Sequence, residues 1–192
     1  RVAVVENGVL QEVHVERTQK RGIVGNIYKG KVVRVLPGMQ AAFVDIGLDR
    51  AAFIHASEIS MREGPAGESI SALVHEGQSL VVQVTKDPIG SKGARLTTQL
   101  SIPSRYLVYM PRTAHVGISL KIEDEAERER LKQVVSDCVA KEGIKEAGGF
   151  ILRTAAEGAG ADEILMDIRY LRRLWDQIAE QIKTISAPSV IY

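Results

Sequence analysis

Between Asn26 and Leu100 the sequence divides into five short stretches of high β-propensity, with no long helical pattern among them. They are Ile27 to Leu36, closed by Pro37-Gly38, then Gln40 to Ile46, Arg50 to Ile54, Leu80 to Thr85 and Arg95 to Thr98. Strands this short and this closely spaced bury an apolar face and lose their open edges together by closing into a small barrel. The stretch Ser60 to Ser71, with Gly64, Pro65 and Gly67, reads as the longest loop of that barrel. Ahead of the barrel, Arg1 to Glu6 and Val9 to Glu16 flank Asn7-Gly8, a hairpin dipeptide. A two-stranded hairpin is not stable alone in water, so this one is expected to dock on other chain.

Past Pro103 the pattern changes. Tyr106 to Met110 is strand-like, and a helix is predicted from Asp124 to Ala140, with Asp124 as its cap and Glu127 three residues on. Ala126, Leu131, Val134, Val135 and Cys138 share a face of it. Gly148 to Thr154 is a short apolar strand ending in Arg153-Thr154. Gly158-Ala159-Gly160 then opens a long helix from Ala161 to Ile185, whose Ile164, Ile168, Leu171, Trp175, Ile178 and Ile182 recur at steps of three or four. Strand, helix, strand, helix describes an α+β unit behind the barrel.

Charge narrows the function. Lys plus Arg number 25 against 24 for Asp plus Glu, a net charge of +1, so an RNA or lipid partner would be held by a local patch and not by bulk attraction. One cysteine, Cys138, excludes an intrachain disulfide and a Cys-based zinc site made by this chain alone. No apolar run is long enough for a membrane span, nothing at the start resembles a signal peptide, and the opening Arg1-Val2-Ala3 lacks a methionine, as a piece of a longer protein would. His14, His55, His75 and His115 show no ligand spacing, and no catalytic constellation is apparent.

Two groupings can carry chemistry. Phe43 and Phe53 lie in neighbouring predicted strands, and Lys29, Lys31, Arg34, Arg50, Lys92 and Arg95 are basic residues of the same barrel segment. Aromatic rings on a small barrel rimmed by cations make a stacking platform for single-stranded nucleic acid. Two core phenylalanines are the competing reading. Lys92 sits in Gly90-Ser91-Lys92-Gly93, a turn that presents an amine but lacks the spacing of a phosphate-binding P-loop. Arg153 and Thr154 precede a glycine-rich turn at a helix start, where a guanidinium, a hydroxyl and backbone N–H groups together would hold an anion. An arginine that merely closes a strand is the alternative.

The run from Asn26 to His55, with Glu76-Gly77-Gln78 before the next strand, resembles an S1 RNA-binding domain. The longer phrases NIYKGKVVRVLPGMQAAFVDIGLDRAAFIHASEI and KDPIGSKGARLTTQLSIPSRYLVYMP resemble the ribonuclease E/G family, nearer its ribonuclease G branch. The resemblance implies a layout of mixed β and α+β architecture. Residues 1–21 would open an RNase H-like subdomain, 22–100 would be an inserted OB-type five-stranded S1 barrel, 101–186 a 5′-sensor, and 187–192 the return toward the RNase H-like subdomain.

The same resemblance assigns roles residue by residue. Phe43, Phe53 and Lys92 match the family's RNA-binding positions on S1. Arg153 and Thr154 match side chains of its 5′-monophosphate pocket, and Val108 and Ser104 match backbone contacts there. Part of the family has glycine at the Ser104 position. The family's catalytic magnesium ligands and its zinc-linking Cys-x-x-Cys belong to later subdomains that these residues do not reach. The resemblance thus implies RNA binding without cleavage by this portion and no cofactor bound by it. Single-stranded RNA with a 5′-monophosphate is the implied partner, with a homo-oligomeric cytoplasmic endoribonuclease as the parent protein. A non-catalytic S1-type assembly module is the alternative.

Overall fold

The computed structural model describes residues 2–15, 22–59, 69–142 and 148–192. Strands β1 (Val2–Glu6) and β2 (Val9–His14) form the expected hairpin. Asn7 and Gly8 turn it at φ 50° and 76°, the positive pair that a two-residue hairpin loop requires. Val4, Val5, Val9, Leu10 and Val13 of this hairpin are exposed.

The five predicted barrel strands are β3 (Ile27–Leu36), β4 (Ala41–Asp45), β5 (Ala52–His55), β6 (Ser79–Lys86) and β7 (Arg95–Thr97). They pair in the order β3-β4-β5-β7-β6, and β6 pairs back onto β3, which closes the barrel. Strand alternation fills its interior with Val32, Ala42, Val44, Ala52, Ile54, Val82, Val84 and Leu96. Between β5 and β6 the predicted loop is helical at its end: α1 (Ile70–Leu73) is a single turn whose Ile70 and Leu73 pack into the barrel core. The rest of that predicted loop, residues 60–68, lies outside the described residues.

The second unit runs through β8 (Ile102–Pro103), β9 (Leu107–Met110), β10 (Val116–Ile118), α2 (Glu125–Lys141), β11 (Gly149–Leu152) and α3 (Ala161–Thr184). Its sheet order is β10-β11-β9-β8, with only β10 and β11 parallel. Both helices pack on this sheet around Tyr109 and Phe150, whose ring centroids stand 5.2 Å apart. Along α3, Ile164, Ile168, Leu171 and Ile178 are buried as the period requires, while Trp175 and Ile182 pack at the margin. Asp124 caps α2 by accepting the Ala126 N–H at 2.9 Å. Glu127 does not complete a capping box, because Arg130 and Gly158 hold its carboxylate instead.

After α3 the chain returns to the barrel. Strand β12 (Ser189–Val190) pairs with Tyr28 and Lys29 of β3. Ile27 of β3 and Ile191 beside β12 both belong to the core of the α+β unit. The Lys29 ammonium donates to the Ile182 and Ile185 carbonyls, each at 2.8 Å. A cation there satisfies the open carbonyls at the C-terminal end of α3 and opposes the helix dipole.

Candidate nucleic-acid interface

Strand register decides what the two phenylalanines do. Phe43 and Phe53 are direct cross-strand partners, and their neighbours Ala42, Val44, Ala52 and Ile54 point inward and are buried. Period-two alternation therefore turns both rings outward, where each is half-buried. They meet edge to face at 6.2 Å between centroids. The pairing extends on both sides, with Arg34 opposite Phe43 on β3 and Arg95 opposite Phe53 on β7. The barrel thus carries a row with two aromatics at its centre and a guanidinium at either end.

Above this row the chain from β6 to β7 folds back as a tight turn. Ile89 and Lys92 exchange N–H donors at 3.1 and 3.0 Å, with Gly90 at φ 56° between them. The Arg50 guanidinium donates to the Gly90 carbonyl and holds this turn against the barrel. Gly93 makes the approach possible, since a Cβ there would lie 2.0 Å from the Ala51 carbonyl oxygen. The outcome is a groove of about 600 Å³ lined by Met39, Phe43, Arg50, Phe53, Lys92 and Arg95, with no acidic side chain in its lining among the described residues. Phe43, Phe53 and Lys92, far apart in sequence, share one surface. Lys29 does not join them, because it caps α3. Met39 lines the groove without having been legible in the sequence, since nothing local marks its orientation.

Arg153 and Thr154 follow β11, and both are exposed. One Arg153 N–H donates to the Ser104 carbonyl. The Thr154 hydroxyl lies 3.2 Å from that of Ser119. The Ser119 turn is fixed in turn by Arg128, which donates to the carbonyls of Ser119 at 3.1 Å and Ile122 at 2.9 Å. Ser104 stands beside Arg153, but its N–H donates to the Leu107 carbonyl at 2.8 Å and its hydroxyl donates to Asp167 at 2.6 Å. Val108 lies in the interior strand β9, opposite Pro103 on one side and Ile151 on the other.

The glycine turn before α3 differs from the sequence expectation. Its N–H groups do not face an anion site, because Gly158 donates to Glu127 at 2.8 Å and Gly160 to Glu163 at 3.0 Å. The Arg153 guanidinium and the Thr154 hydroxyl stand exposed beside this turn. The Arg130 guanidinium, with the Gly158 N–H, holds the Glu127 carboxyl down from its ordinary 4.5 to about 2. A carboxyl whose pKa is lowered by folding contributes stability above its ordinary value and loses it as the pH falls toward the folded value. Glu127→Gln is therefore expected to lower stability at pH 7 by about 1 kcal/mol or less, as partly exposed pairs do. In thermal unfolding the gap to wild type should close between about pH 4.5 and pH 2. A gap unchanged down to pH 2 would show that the ion pair is not its source.

Among the described residues no group of three or more His, Cys, Asp or Glu side chains is placed to hold a metal ion. Cys138 is buried against the core of the α+β unit. No helix of the described residues is long and apolar enough to cross a membrane.

Residues 22–87 match the S1 RNA binding domain and residues 101–192 match the Ribonuclease E/G family. Ribonuclease G of Escherichia coli strain K12 is 59% identical over 192 residues, covering 95% of this chain and 38% of the relative. Ribonuclease G of Haemophilus influenzae is 53% identical, covering 100% of this chain and 40% of the relative. Ribonuclease E of Nostoc is 38% identical, covering 88% and 24%. The chain spans less than half the length of these relatives. With both regions matched in the order the fold displays them, and with higher identity to ribonuclease G than to ribonuclease E, the chain carries an S1 RNA binding domain followed by a region of the ribonuclease E/G family.

Proposed function

We propose that this chain is the RNA-recognition portion of an endoribonuclease that processes or degrades single-stranded RNA. The observation that carries the reading is the groove in which Phe43, Phe53 and Lys92 meet, lined among the described residues by three cations and no acid. Two outward rings give successive bases a surface to stack on, and Lys92, Arg50 and Arg95 supply charge for the backbone. A duplex keeps its bases stacked on one another and offers these rings no face, so the groove selects single strands.

The second half of the reading concerns the 5′ end. Arg153 and Thr154 take a terminal phosphate, the guanidinium through parallel N–H donors and the hydroxyl through a further hydrogen bond. This rests on the match of both residues to the family's 5′-monophosphate pocket. The same family match supports a cytoplasmic, homo-oligomeric parent protein.

The test is a titration of one oligoribonucleotide in three forms: single-stranded with a 5′-monophosphate, single-stranded with a 5′-hydroxyl, and duplex. The monophosphate form is expected to bind tightest and the duplex weakest. Equal affinity for single strand and duplex would sink the groove assignment, and equal affinity for the two single strands would sink the phosphate site.

A further inference from the structure

Asp167 of α3 points at the turn between β8 and β9, not at solvent. A single oxygen, Oδ2, accepts three donors: the Ser104 hydroxyl at 2.6 Å, the Tyr106 N–H at 2.9 Å and the Leu107 N–H at 3.1 Å. One helical turn earlier, Glu163 accepts the Tyr106 hydroxyl at 2.6 Å. Two acids on one face of α3 thus hold one turn, Asp167 through the Ser104 hydroxyl and two backbone N–H groups and Glu163 through the Tyr106 hydroxyl. Ser104 is further closed onto Leu107, whose carbonyl accepts its N–H.

The same turn presents the Ser104 carbonyl to Arg153, and that carbonyl is the guanidinium's hydrogen-bond partner among the described residues. Arg153 is exposed and sits in no ion pair there, so its orientation depends on where this one acceptor stands. A guanidinium has five N–H donors. Fixing one of them aims the others, and a side chain already aimed loses less freedom when a ligand arrives.

We propose that Asp167 is a positioning residue for the Arg153 phosphate site: it sets the 104–107 turn, the turn sets the Ser104 carbonyl, and the carbonyl sets the guanidinium. The inference rests on the 5′-phosphate reading above. It also gives Ser104 a role that differs from donating its N–H to the phosphate. Its hydroxyl ties the turn to Asp167, and its carbonyl orients Arg153.

The experiment measures binding of one single-stranded oligoribonucleotide, with a 5′-monophosphate or a 5′-hydroxyl, to wild type, Asp167→Ala, Asp167→Asn and Arg153→Ala. Asp167→Ala leaves two backbone N–H groups without their acceptor. It is expected to cut the monophosphate-to-hydroxyl affinity ratio by about tenfold, on the scale of one hydrogen bond to a charged group. Affinity for the 5′-hydroxyl form, carried by the groove, should stay at the wild-type value. Asp167→Asn should keep most of the ratio, because its amide oxygen can accept the same two N–H groups.

If Asp167→Ala keeps the full ratio while Arg153→Ala loses it, the positioning role is wrong and the phosphate reading stands. If Asp167→Ala weakens both forms equally, Asp167 supports folding only and the proposal is overturned. If wild type itself has no preference, the phosphate reading fails and the proposal with it.

Discussion

Phe53→Ala should weaken single-stranded RNA binding by roughly 1–3 kcal/mol, the worth of one stacked base, and lower stability by less than a core truncation does. The two effects separate because of where the ring stands. Its strand neighbours Ala52 and Ile54 fill the barrel, while Phe53 lies outside it, half-buried, with an edge contact to Phe43 at 6.2 Å. Losing that contact costs about 0.5–1.5 kcal/mol of stability beyond the area the ring buries. A core truncation such as Ile54→Ala, by contrast, should cost about 2–5 kcal/mol of stability. Salt dependence gives an independent check. Phe53→Ala should leave the slope of log affinity against log salt unchanged, while Lys92→Ala should reduce it by about 0.7, one phosphate contact on a single strand. A Phe53→Ala variant that unfolds like a core mutant yet binds RNA normally would return the ring to the core and remove the platform.

Arg153→Ala should abolish the preference for a 5′-monophosphate, a loss of about 1.5–3 kcal/mol, as for hydrogen bonds to a charged group. Folding should be indifferent, since the side chain is exposed and its bond to Ser104 reaches a turn already closed by Leu107 and Asp167. Arg153→Lys is the sharper variant. Lysine keeps the charge but not the planar fork. If recognition is by parallel donors, lysine should recover only part of the preference, and full recovery would mean that charge alone is read. The measurement is the affinity ratio of 5′-monophosphorylated to 5′-hydroxyl oligonucleotide.

Much of the fold was legible because short-range patterns carried it. Ala42 and Val44 inward with Phe43 outward follows from period two, and the row Ile164, Ile168, Leu171 follows from period 3.6. The strand β10 was not legible, since Val116-Gly117-Ile118 is three residues long, with glycine at its centre and no buried side chain. The α2 capping box failed for a physical reason: Glu127 had a stronger partner in Arg130, and sequence spacing does not rank competing donors. The candidate residues themselves were marked by type and by resemblance, but their supports were not. Asp167 meets Ser104 across 63 positions and Lys29 meets Ile182 across 153, contacts that no local pattern encodes.

The seam between barrel and α+β unit has a consequence for how the molecule comes apart. Strand β3 belongs to the barrel by its pairing, yet its Ile27 sits in the other unit's core and its Lys29 closes the far end of α3. Excising the barrel alone would leave Ile27 in water and an ammonium without its two carbonyls. Excising the other unit would open its core at Ile27 and leave the last carbonyls of α3 bare. The two units are therefore expected to share one melting transition, and heat or denaturant should remove the RNA groove and the Arg153 site at a common midpoint.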